Sequence, residues 1–177
     1  MHSVLICVII FPAYIGLHMN SVIENYYPLF SYYQALRNQL LEIISDDDLA
    51  FQLPGDNHTL GFLCKQIGEV QHSYIQSFKT FKQEWSYKNS DPELESSVAR
   101  LVGWYTDLDR ELRTVVEALS EDELHNRQID RGDGFNTSPR AQLEIYKEAL
   151  LIFYAKASIY LKALSIPLPE QWADWIT

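Results

Sequence analysis

Three side chains close together in the sequence, Gln66, Glu69 and His72, have the types from which metal or acid–base chemistry is built. Glu69 and His72 form the E-x-x-H spacing of carboxylate-bridged di-metal helices. Such a site needs a second pair and two further inward carboxylates, and the chain offers no convincing set. At about 100° per residue, His72 falls opposite the apolar run Leu63, Ile67 and Val70, so the pair reads as part of a solvated helix face. Gln66 sits at the edge of that apolar stripe. A buried amide there needs a hydrogen-bond partner; read functionally, it is a pocket residue. Cys64, one of two cysteines with Cys7, has no nearby sequence partner for nucleophilic catalysis and reads as a small packed thiol. Tyr26, Tyr27, Tyr32 and Tyr33 cluster as an aromatic stripe, suited to core or interface, or to the wall of a small-molecule pocket between helices. Arg131-Gly132-Asp133 reads as a turn. Asn57-His58-Thr59 and Asn136-Thr137-Ser138 match glycosylation sequons, which matter only in a secreted chain. No phosphate loop, dinucleotide fingerprint or serine-nucleophile elbow is present.

The elements that must position these residues are helical. Apolar residues recur every three or four positions in four stretches. The first, from about Val22 to Ile44, carries Phe30, Tyr33, Leu36, Leu40 and Ile44, with Pro28 in its first turn or kinking it. The acidic run Ser45-Asp46-Asp47-Asp48 and a loop with a Pro54-Gly55 turn follow. The second, from about Thr59 to Phe81, has the clearest stripe: Leu60, Leu63, Ile67, Val70, Tyr74, Phe78 and Phe81. The third, from about Asp91 to Leu119, is expected to open on a Ser90–Glu93 capping box with Pro92 in the first turn. A second box, Ser120–Glu123, predicts a short helix to Arg127, and IDRGDGFNTSP reads as a turn or small hairpin. The fourth starts at Ser138-Pro139, runs through Leu143, Tyr146, Leu150, Phe153, Ala157, Tyr160 and Leu164, and ends before Pro167 and Pro169. Trp172 and Trp175 are expected to cover a bundle end. Four amphipathic helices close most simply as an all-α four-helix bundle.

Composition bounds the function. The chain has 177 residues, suited to one domain, and its net charge of −10 repels phosphate backbones and anionic membranes. No nucleic-acid partner is expected. Two cysteines without CxxC spacing fit a reducing cytoplasm. Residues 1–18 form an apolar N-terminal extension, read as an over-extended start before Met19. The run 3–17 is short for a membrane span and is interrupted by Pro12, and no membrane partner is expected unless it is a genuine anchor. Residues 19–177 are the bundle domain.

Several stretches resemble the DinB/YfiT-like superfamily. Thr59 to Ile67, TLGFLCKQI, is similar to the family's "LGxLLxHI" opening of the second helix. YKEALLIFYAKASIYLKAL is similar to its last helix, which carries an HxxxH pair and ends in "YLRAL". The Arg131-Gly132-Asp133-Gly134 turn and SPRAQLEIY fit the segment that leads into that helix. The resemblance covers about Met19 to Leu164. It implies a DinB-like four-helix bundle with up-up-down-down order, a homodimer, and one divalent metal such as Zn or Ni on three histidines. The matching positions here are Gln66, Ala149 and Phe153. An amide oxygen is a weak ligand, and alanine and phenylalanine offer none. The expectation is therefore a degenerate site without cofactor or catalytic residues, and a possible pocket at Gln66, Tyr33, Tyr146 and Phe153. Such a protein would bind a small molecule or another protein. The alternative is a metal-dependent hydrolase or thiol S-transferase with substituted ligands.

Overall fold

The computed structural model describes residues 19–176. The extension expected over residues 1–18 lies outside the described residues. A π-turn over Val22–Tyr26 leads into α1 (Tyr27–Ile43), with Pro28 in its first turn, where a missing N–H costs nothing. Next come α2 (Asp46–Leu49), α3 (Leu60–Thr80), a 3-10 turn over Pro92–Glu95, α4 (Val98–Glu117) and α5 (Glu121–Asn126). A two-stranded hairpin, β1 (Ile129–Asp130) and β2 (Asn136–Thr137), precedes α6 (Pro139–Ala163) and α7 (Glu170–Trp175).

The fold is all-α, and α1, α3, α4 and α6 form the bundle. Side-chain caps set most of the helix starts: Thr59, Ser97, Ser120 and Ser138 each accept a backbone N–H of the first turn. Two details differ from the sequence reading. The acidic run after α1 is itself a one-turn helix closed by a Ser45–Asp48 capping box. The third helix is broken. Asp91 caps the 3-10 turn, and Ser97 in extended backbone starts α4 afresh, so Ser90 is not the cap.

The helix order is corrected as well. Pairings fix the directions. Tyr26 bonds Glu144 and Tyr154 bonds the Tyr33 carbonyl, so α1 and α6 run parallel. Asn20 bonds the Val116 carbonyl while Arg37 meets Asp109, so α1 and α4 run antiparallel. Tyr105 bonds Cys64 and Gln71 bonds Asp109, so α3 and α4 run parallel. The bundle is therefore up-down-down-up. The cause is residues 82–91, a strap that runs back along α3. Lys88 and Asn89 bond Glu69, Tyr87 stacks on His72, and Glu95 beyond the strap bonds Lys65. Gly61 permits that return, since a Cβ there would lie 2.0 Å from the Glu95 carbonyl oxygen.

A polar network crosses the core. Arg37 is fully buried; it donates to both Asp109 oxygens at 2.7 Å and to Gln71 at 2.5 Å, and lies 3.9 Å from the Tyr105 ring centre. Gln34 and Gln71 also donate to Asp109. Trp172, also buried, donates at 3.0 Å to the carbonyl of Leu36, the residue before Arg37 on α1. Trp175 is half exposed and packs at a tilt against Tyr33, with ring centres 5.4 Å apart.

The network predicts an asymmetry. Asp109→Ala strands a buried guanidinium and should lower stability by about 3 kcal/mol, the low end for a broken buried pair because Asp109 is partly open to solvent. Arg37→Met removes the charge that needs solvating and should cost less. Urea midpoints of the two variants compare them directly.

Candidate functional site

The three positions that the sequence resemblance put forward converge. Gln66 on α3 and Ala149 and Phe153 on α6 line one pocket at the α3–α6 seam, with Leu63, Ile67, Val70, Ile152 and Lys156. Antiparallel packing places them so: residues one turn apart on α3 (Leu63, Gln66, Ile67, Val70) face residues one turn apart on α6 (Ala149, Ile152, Phe153, Lys156). The pocket holds about 180 Å³. Phe153 is nearly buried, Ala149 half-buried, and Gln66 exposed at the rim, so the buried amide considered from the sequence is not formed. Two further grooves adjoin it. One shares Gln66 and Val70 and passes beneath the strap at Trp85 and Tyr87; the other shares Leu63 and Lys156 and reaches His58 and Tyr160.

The other two expected pocket residues are elsewhere. Tyr146 is in the core against Phe30 and Tyr74, and its hydroxyl is buried without a hydrogen-bond partner among the described residues. Tyr33 faces the other side of α6, against Trp175 and Lys147. The helical period put both on apolar stripes, but a stripe does not say which neighbour it meets. Lys156 and Ile152 were missed. Their signal was a lysine whose neighbours one turn away, Ile152, Phe153, Ile159 and Tyr160, are all apolar.

This donor set does not fit the family's metal. Ala149 and Phe153 have no ligating atoms, and Gln66 offers one amide. Among the described residues no three His, Cys, Asp or Glu side chains come together to hold an ion. Nor does the E-x-x-H pair face solvent, as its helical angle suggested. Glu69 is buried beneath Lys88, and His72 stacks on Tyr87 with ring centres 3.6 Å apart. Both residues dock the strap. Burial holds the His72 imidazole below its ordinary pKa, with Glu111 opposing and Lys79 reinforcing that shift. Cys64 is fully buried under Tyr105, and burial pushes its thiol up to about 12, leaving no thiolate for chemistry at neutral pH.

A second polar hub fixes the end of the α3–α6 seam. The buried Gln142 donates to Ser77 at 2.9 Å and Gln83 at 2.6 Å and accepts from Arg131. Arg131 lies between 5.6 and 5.7 Å from the centres of the Tyr74, Trp85 and Phe135 rings, so the expected turn at Arg131-Gly132-Asp133 anchors the hairpin to α3 and the strap. Among the described residues no helix is long and apolar enough to cross a membrane.

A family model described as the DinB superfamily matches residues 31–146, more than half of the chain. The crystal structure of a DinB-like protein from Bacillus subtilis, YjoA, superposes with a TM-score of 0.64 at 18% identity, covering 85% of this chain and 96% of that one. At that identity the likeness concerns the fold alone. No curated protein matches the chain.

Two outcomes follow from the side-chain environments. Because the His72 pKa is lower folded than unfolded, the unfolded state takes up the proton first; its stacking contributes fully above about pH 6.5 and is lost as pH falls below that value. The protection of amides across residues 83–90, measured against the intrinsic exchange rate at each pH, should therefore fall between about pH 7 and about pH 5, and His72→Phe should flatten that response. In a Cys7→Ser background, Cys64 should react with a disulfide reagent at pH 8 only as fast as the bundle opens, and at once in denaturant.

Proposed function

The chain belongs to the DinB superfamily, and on that premise we propose that it works without a resident metal, as a small-molecule-binding module whose pocket is the site where relatives hold their ion. The observation that carries this reading is the convergence of Gln66, Ala149 and Phe153 on one apolar-lined pocket. On this reading the ligand positions implied by the family resemblance hold one amide and two side chains without donor atoms. A hydrocarbon-lined cleft with few polar groups suits an organic ligand better than a cation. The only described cysteine is buried and protonated, so it offers the pocket no thiolate.

The homodimer implied by the family goes with this reading. The half-exposed Leu29, Tyr32 and Trp175 line one groove where α1 meets α7, and an apolar surface of that kind supports association. A cytoplasmic setting fits the cysteine usage.

The untagged native chain is expected to carry no stoichiometric metal by mass spectrometry and to give no heat with Zn or Ni. The triple variant Gln66→His/Ala149→His/Phe153→His should take up one Zn per chain, because the three positions share one pocket. Metal bound by the native chain would overturn the proposal and favour a metal-dependent hydrolase or thiol S-transferase with substituted ligands. Failure of the triple variant, folded but metal-free, would dismiss the match of positions to the family's site. Light scattering on the native chain reads the dimer.

A further inference from the structure

The α3–α6 pocket has one charged side chain in its lining, Lys156. Five of the seven lysines, Lys65, Lys79, Lys82, Lys88 and Lys147, each hold a carboxylate within ion-pair distance. Lys156 has no such pair among the described residues, in a chain whose net charge is −10. On α6 an acid three or four residues away would be the ordinary partner. Those four positions are Ile152, Phe153, Ile159 and Tyr160. Asp56 borders the adjoining groove that Lys156 also lines, yet the two form no ion pair. The ammonium therefore has no carboxylate partner within ion-pair distance, at the edge of an apolar surface.

The surface is also unusually open. Ile152 is 58% exposed and Ile159 56% exposed, on either side of Lys156. Across the seam, the rest of the pocket lining is Leu63, Ile67 and Val70, with the Gln66 amide at the rim. Hydrocarbon walls, one uncompensated cation and one amide donor together describe a receptor for an amphipathic anion.

We propose that this pocket binds a small monocarboxylate with a short apolar tail. The tail lies against Leu63, Ile67, Val70 and Phe153, and the carboxylate meets the Lys156 ammonium and the Gln66 side-chain N–H. The volume of about 180 Å³ takes about six water-sized groups, which matches a chain of about six carbons with its head at the rim. The inference rests on the small-molecule reading of the pocket and adds the sign of the ligand's charge.

The test is a titration of the full chain, followed by amide shifts, with three probes of equal length: hexanoate, 1-hexanol and hexylammonium. Hexanoate should bind roughly two- to fivefold more tightly than 1-hexanol, the gain of an exposed ion pair, and hexylammonium most weakly. Shifts should centre on Gln66, Ala149 and Phe153. Lys156→Met should remove the difference, so that hexanoate binds that variant no more tightly than 1-hexanol does. Ala149→Phe, which fills the pocket from a half-buried position, should abolish binding of both. Equal binding of hexanoate and 1-hexanol by the native chain overturns the charge inference and leaves the apolar pocket standing. No binding by any probe overturns the pocket reading and this inference with it.

Discussion

A guanidinium with no access to water is the constraint around which the bundle is arranged. Arg37 has no exposed surface, and a bare charge in that position would cost far more than the whole stability of a domain this size. It is tolerable only while Asp109 takes two of its N–H groups, Gln71 a third, and Tyr105 covers its face. Those partners come from α3 and α4, so three helices must meet at one depth. Gln34 and Gln71 donate as well to Asp109 Oδ1. Sliding α4 by a single turn would leave the arginine facing hydrocarbon. The network thus selects one register out of the many that apolar stripes alone would accept.

The seam between α3 and α6 is held differently, and that difference locates the pocket. Polar pins lie at its two ends: Gln142 with Ser77 and Gln83 at one, Tyr160 on the His58 carbonyl at the other. Between them the two helices meet through side chains of unequal length, and Ala149 opposite Gln66 leaves the space unfilled. Gln66, Ala149 and Phe153 fall on this stretch. In this chain the same backbone frame surrounds an apolar cleft.

The bundle's existence was legible because helix periodicity is a local property. Leu60, Leu63, Ile67, Tyr74 and Phe78 announce α3, and all are buried. Ser120 with Glu123, and Ser138 with Pro139, announce their helices through capping groups that lie within one turn. What was not legible depends on partners far away in the chain. Arg37 looks like any flank arginine until Asp109 arrives 72 residues later. Glu69 and His72 look solvated because helical angle counts only the helix, and the strap that covers them is a loop with no period. Helix direction was missed for the same reason: nothing in residues 82–91 declares that they retrace α3. The candidate site was half legible. Gln66, Ala149 and Phe153 were named and do meet, while Tyr33 and Tyr146 share their stripes but face other neighbours.

The parallel pairing of α1 with α6 has a consequence for how the chain is born. Tyr26 and Glu144, which bond each other, are 118 residues apart. At roughly 5–20 residues per second of synthesis, α1 must wait on the order of ten seconds for the helix that covers Phe30. Arg37 meets Gln71 and Asp109 sooner, but Trp172 closes over Leu36 later still. Through that interval the nascent chain displays the aromatic ridge of Tyr26, Tyr27 and Phe30 without the helix that finally covers it.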